Sequence, residues 1–145
     1  MKKHVIIVST RFLKAHPRAG EFTGFPDKVL DGTKIHTLRK SYKHWKKKID
    51  EVNAGVAELH VRTWTDRPFI SPQKSIKILG KGEVGIQKCQ VLADSEFVFI
   101  DDHITEQLNR FKIEENDGLS TTDFWSWFTE DAHDACVIHF TNKKY

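Results

Sequence analysis

Residues 56–64, Val56-Ala57-Glu58-Leu59-His60-Val61-Arg62-Thr63-Trp64, mark the point where the hydrophobic period of the chain changes. Upstream, Tyr42, Trp45, Ile49 and Val52 recur at three- and four-residue intervals, between a capping Ser41 and a stop at Asn53 and Gly55. That spacing describes one buried face of a basic amphipathic helix. From Val56 onward the β-branched and apolar runs are short and bounded by turn residues, which is the pattern of strands. Ser75–Leu79, Gly82–Leu92 and Glu96–Ile100 repeat it, and Ala135–Thr141 closes it. With no regular alternation of strand and helix, the sequence predicts an α+β domain. Its expected form is a set of mostly antiparallel strands with flanking helices, for which a small, closed or nearly closed β-barrel is the architecture of choice although periodicity itself does not show closure.

The preceding residues lead into a second informative stretch. Residues 3–9 read as a buried strand, and residues 16–25 as a loop, by their proline and glycines. Pro26 suits a first helical turn and Gly32 a stop, so a short helix delivers the chain into Gly32-Thr33-Lys34-Ile35-His36-Thr37-Leu38-Arg39. As a strand, this octet turns Lys34, His36 and Leu38 one way and Ile35, Thr37 and Arg39 the other. Farther on, Ile104–Phe111 reads as helical. Ser120 with Asp123 caps a helix through Phe124, Trp125, Trp127 and Phe128.

With 145 residues, 39% apolar and 30% charged, the chain is expected to form one soluble domain spanning residues 1–145. Only four apolar residues precede Ser9 after the basic start, too few for a signal peptide or a membrane span, so the expected location is cytoplasmic. Cys89 and Cys136 lack metal spacing and read as buried, reduced thiols. The net charge of +3 conceals polarisation: residues 1–50 hold thirteen Lys/Arg against four Asp/Glu, and residues 94–134 hold two against twelve. The basic third could meet phosphate. The acidic third could neutralise it in the fold or mark a separate face.

Lys34 and Thr37 are the candidates for chemistry. Desolvation disfavours an ammonium, and a neutral amine can activate a neighbouring hydroxyl as a nucleophile. A carboxylate must then carry protons, and Asp117 is the first candidate, with Glu114 and Glu115 close enough in sequence to replace it. Taken alone, Lys34 and Arg39 are first read as surface charges on a strand, and Thr37 is equally an ordinary strand threonine.

The octet resembles the opening of the ASCH domains, relatives of the RNA-binding PUA domains, which begin with a glycine, a lysine and a closing arginine, here Gly32, Lys34 and Arg39. The resemblance continues through Trp45, Arg62-Thr63-Trp64, Arg67-Pro68-Phe69 and Asp117-Gly118-Leu119-Ser120 before Phe124 and Phe128, and so covers most of the chain. It implies a PUA-like barrel with a cleft beside the octet. It also implies kinship with the bacterial N4-acetylcytidine amidohydrolases, whose catalytic lysine and threonine fall on Lys34 and Thr37. Their catalytic glutamate falls on Asp117, which is one methylene shorter.

Three functions follow as expectations. The first is a domain that binds RNA or a modified nucleoside, with Gly32, His36, Arg39, Arg67, Lys43 and Lys47 as ligand contacts. Its basic track runs through Arg39, Lys40, Lys43 and Lys46–Lys48 beside Trp45, although Lys46 with Asp50 and Lys47 with Glu51 offset part of that charge. The second is an amidohydrolase acting on an acylated nucleobase, with Lys34, Thr37 and Asp117 as its catalytic residues. The third is a protein-docking module that uses the acidic segment Asp94–Asp134. Trp64 and Phe69 are expected to plug the barrel end, while Phe124, Trp125, Trp127 and Phe128 are expected to pack in the core, or else to leave one ring, Trp125 or Trp127, at a cleft. No metal, cofactor or membrane partner is expected, because the histidines are scattered and no phosphate-loop or dinucleotide motif occurs.

Overall fold

The computed structural model describes residues 1–101, 103–104 and 107–145, and over 103–104 and 107–111 the backbone alone. The described elements run β1 (Lys2–Ile7), α1 (Phe25–Asp31), β2 (His36–Lys40), α2 (Tyr42–Asn53), β3 (Ala57–Trp64), β4 (Gln73–Leu79), β5 (Gly85–Leu92), β6 (Phe97–Ile100), β7 (His103–Ile104), α3 (Gln107–Asn116), α4 (Thr121–Ser126) and β8 (Ala132–His139). They pair into a three-stranded sheet, β1-β3-β4, and a five-stranded sheet, β2-β8-β5-β6-β7. This is the α+β class read from the sequence. No ladder among the described strands joins the two sheets, so their pairing alone does not close a barrel.

Strand β8 explains why the two sheets share one interior. Its alternating side chains serve two cores: Cys136 and Ile138 pack with Ile6, Leu59 and Val61 of the small sheet and with Ile49 and Val52 of α2. Ala135 and Val137 face Ile113, Phe124 and Trp125 of α3 and α4. Both faces of β8 are therefore buried, which accounts for the near-continuous apolar run Ala135-Cys136-Val137-Ile138. Cys136 and Cys89 are free and buried. No described helix is long and apolar enough to cross a membrane.

Several expectations need correction. The described ladders are mostly antiparallel, as expected, but strands β1 and β3 pair in parallel, Lys2 opposite Ala57 through Ile7 opposite Arg62, because α1, β2 and α2 carry the chain back across before β3 begins. The octet is strand only from His36; Gly32 is the left-handed C-cap of α1, at φ 83°. Ser41 occupies the N-cap of α2 in a left-handed conformation, φ 70°, and its side chain caps nothing. Asp134 does that work from β8, accepting the Tyr42 N–H on Oδ1 at 3.2 Å, while its carbonyl takes the Ser41 N–H at 2.9 Å. Ile104 belongs to β7, and helix begins at Gln107; Thr105 and Glu106, within the expected helical segment, lie outside the described residues. Ser120 does cap α4, accepting the Asp123 N–H at 3.2 Å.

Candidate active site

The end of α1 and the end of α3 meet to make a buried polar centre. After Gly32, the Lys34 N–H turns back to the Lys28 carbonyl at 2.9 Å, and the Ile35 N–H donates to the Asn116 carbonyl at 2.9 Å. From the other side, Lys28 Nζ donates to the Gly118 carbonyl at 2.7 Å. Gly118 stands at φ 80°, and a Cβ there would lie 3.2 Å from both Lys28 Cδ and Lys34 Cβ. Glycine is thus required both for the turn out of α3 and for its approach to Lys34.

Lys34 is 2% exposed. Its Nζ donates to the Asp117 carbonyl and to Asp117 Oδ1, each at 2.9 Å, and lies 4.1 Å from the centroid of the Phe25 ring. Burial pulls the Lys34 ammonium below the usual lysine range, against the opposing attraction of Asp117. Burial acts to raise the Asp117 carboxyl, but the Lys34 charge and the His36 and Lys34 hydrogen bonds outweigh it and hold Asp117 below the usual carboxylate range. The centre therefore contains an ionised carboxylate beside a lysine that surrenders its proton more readily than a solvated one.

This pair opens on a cavity of about 60 Å³ whose wall includes Lys34, Thr37, Arg39 and Asp117, with Phe25, Trp127 and Phe128 as its apolar part. Thr37 is buried in β2, opposite Ile138. Arg39 crosses from β2 to the neighbouring sheet edge, donating from Nη2 to the Ile7 carbonyl. Burial lowers its guanidinium, opposed by Asp117. Lys34 and Thr37 share one cavity although strict alternation would part them, because Lys34 precedes the strand and is not bound by its pleat.

Behind Asp117 lies a second layer of polar side chains. Asn116 Nδ2 donates to the Tyr145 hydroxyl at 3.0 Å, leaving the phenol proton for His36 Nε2 at 2.6 Å. His36 Nδ1–H then faces Asp117 Oδ1 at 3.4 Å. Gln87 Oε1 accepts the Tyr145 N–H at 2.8 Å and His139 Nε2–H at 2.9 Å, and Gln87 Nε2 donates to Asp101 and to the Tyr145 carbonyl oxygen. Burial lowers His36 below the usual imidazole range and takes His139 down to about 3, so both rings are neutral.

Of the residues singled out in the sequence, Lys34, Thr37, Arg39 and Asp117 come together. Glu115 is exposed, and Glu114, though buried, does not line the cavity. Gly32 is an exposed helix cap, and His36 is fully buried behind Asp117, outside the cavity wall. Lys43 and Lys47 lie exposed along α2, in a shallow depression shared with Asp50 and Glu51. Lys46 does pair with Asp50, at 2.6 Å. Glu51 turns to His4 and Lys2. Arg67 sits on an exposed turn and lines no part of the cavity. Trp127 is the ring at the cleft, joined by Phe128, while Trp125 is buried in the core. Asn116, Gln87 and Tyr145 carried no sequence signal, since no local pattern links positions up to 109 residues apart. Among the described residues no group of three His, Cys, Asp or Glu side chains could hold a metal ion. Comparison with protein-family models, with curated proteins and with solved structures finds no match to this chain.

Proposed function

We propose that this chain is an ASCH-type domain whose cavity binds the acyl amide of a modified nucleoside, such as N4-acetylcytidine, and hydrolyses it. One observation carries the reading: Lys34 is buried at a cavity that also exposes Thr37, and two of its N–H bonds are committed to Asp117. A tetrahedral nitrogen held this way has one position left, for either a third proton or the lone pair that removes one. The cavity, at about 60 Å³, suits an acetyl-sized head.

In the proposed reaction, Lys34 first releases its third ammonium proton to water, which its burial favours, and the resulting amine takes the Thr37 hydroxyl proton as Oγ1 adds to the acyl carbon. The carbonyl electrons move to oxygen, where Arg39 supplies a fixed cation. The Lys34 ammonium returns the proton to the exocyclic nitrogen as the C–N bond breaks, leaving an acyl ester on Thr37. Water then adds to that ester, Lys34 takes and returns its proton, and the acid departs. Asp117 stays ionised throughout, aiming Lys34 and stabilising its charged form. The missing methylene of Asp117 is no obstacle to that contact, because Gly118 lets the turn approach until the carboxylate stands 2.9 Å from Nζ.

RNA binding along α2 is the weaker alternative, because Lys43 and Lys47 stand apart from the cavity and share their surface with two carboxylates. A PUA-like barrel accords with the common core of the two sheets and with Arg39 spanning the gap between β1 and β2. Two buried thiols, Cys136 raised to about 12 by burial, suit a reducing, cytoplasmic setting. The test is cytidine release from N4-acetylcytidine by the parent, Lys34→Ala and Thr37→Ala proteins, each checked for fold by near-UV circular dichroism. Loss of turnover by a hundredfold or more in both variants is expected. Full turnover in either would remove that residue from the reaction.

A further inference from the structure

The cavity at Lys34 is too small for a ring: pockets that enclose ring-bearing ligands run to about 300–1,000 Å³, against about 60 Å³ here. A second hollow, of about 480 Å³, lies alongside it. Three contacts join the two. Ser9 lines both, Arg39 of the inner wall bonds the carbonyl of Ile7 in the outer one, and the Trp127 and Phe12 rings, one from each, stand 5.7 Å apart. The outer hollow is lined mainly by apolar side chains, among them Phe12, Trp64, Pro68 and Phe69.

The turn between β3 and β4 holds its apolar residues outward, against the sequence expectation that Phe69 would bury. Phe69 is 88% exposed, Ile70 is 79% exposed, and the Phe69 ring lies 5.3 Å from that of Trp64. The turn is ordered by its own bonds: Thr65 donates to the Pro72 carbonyl through both its N–H and its hydroxyl, and Ser71 Oγ donates to the Arg67 carbonyl while accepting the Asp66 N–H. Phe69 itself sits at φ 64°, a conformation costly for a bulky residue. An ordered turn therefore holds an aromatic side chain in solvent beside a half-buried tryptophan.

Building on the acyl-amide reading of the inner cavity, we infer that the outer groove is the ring subsite of the same ligand. A planar ring lies against Trp64 and Phe69, and its exocyclic amide reaches past Ser9 to Lys34 and Thr37. Because stacking engages the π-face that every base offers, the site selects N-acyl groups on planar rings over linear amides and tolerates changes in the ring.

The experiment compares kcat/KM for N4-acetylcytosine and for N-ethylacetamide in the parent, Phe69→Ala and Trp64→Leu proteins, and measures calorimetrically the binding of unacylated cytosine to each. The ratio of ring to linear amide is expected to fall about tenfold in each variant, and cytosine binding to weaken in parallel. An unchanged ratio with unchanged cytosine affinity would overturn the ring subsite while leaving the inner site standing. If neither amide is turned over, the hydrolase reading fails, and cytosine binding alone decides: weakened by Phe69→Ala it upholds the groove, and absent or unaffected it overturns it.

Discussion

Each charged group at the candidate site is held by a neighbour that would suffer from its loss. Asp117→Asn leaves the Lys34 ammonium buried without its counter-charge, so a cost of about 3 kcal/mol at neutral pH is expected in urea unfolding. That cost should shrink as pH rises. Burial already lowers the folded Lys34 pKa, and without Asp117 it falls further. Between that value and the unfolded one near 10.5 the unfolded chain binds more protons, so stability climbs with pH. A pH-independent cost would argue against a charged Lys34. His139 gives the opposite-end test. It is neutral in the fold, with a pKa of about 3 against 6.5 unfolded, so stability is lost as pH falls below 6.5. Between pH 7 and 5 the loss from this ring is about 2 kcal/mol. His139→Gln, which keeps an N–H for Gln87, should remove about 2 kcal/mol of it, with the contribution of buried His36, lowered in the same direction, remaining; an undiminished acid sensitivity would exclude His139 as a source. That Lys34, Thr37 and Asp117 belong at one cavity was suggested by side-chain chemistry together with the family resemblance, since 83 residues separate Lys34 from Asp117 and no local pattern joins them. The position of His36 was not, because facing the ligand and facing Asp117 from behind are equally compatible with a strand histidine.

At the level of elements, the helix faces were readable and the partners that fix their ends were not. Ile49 and Val52 are buried as the period of α2 requires, with Tyr42 and Trp45 packed at the margin of the core. The cap, however, comes from Asp134, 92 residues from Tyr42, beyond the reach of any local capping pattern. Asp134→Ala should therefore cost about 1 kcal/mol by thermal or urea unfolding. Ser41→Gly should be neutral or stabilising, since Ser41 pays a left-handed conformation at φ 70° and makes no side-chain cap. Destabilisation by Ser41→Gly as large as that of Asp134→Ala would contradict this division of roles. The octet teaches the same lesson. Treating all of it as strand assigned Lys34 and Thr37 to opposite faces, whereas the turn from Gly32 to Ile35 frees Lys34 to enter the cavity that Thr37 lines.

For the whole molecule, part of the charge polarisation seen in the sequence is met within the fold. Arg18 pairs with Asp123, Lys34 with Asp117 and Lys40 with Glu130, each joining the basic first third to the acidic last third. Asp131 and Asp134 bond backbone N–H groups of Ala93 and Tyr42. These carboxylates have internal employment, while Asp102 of the same segment lies outside the described residues. The α+β class was legible from the change of period at Val56. The parallel pairing of β1 with β3 was not, because periodicity reports a strand's faces but not its neighbours. The proposed hydrolytic function joins these scales, and its most direct test is a rapid-quench experiment with protein in excess over N4-acetylcytidine. Cytidine and the tryptic peptide Ile35–Arg39, which contains Thr37, are weighed at successive times. Cytidine appearing together with an acetyl group on that peptide, which then declines, is the expected result. Neither cytidine nor acetylated peptide, in protein shown to be folded, would contradict the assignment of Lys34, Thr37 and Asp117 as a hydrolytic centre.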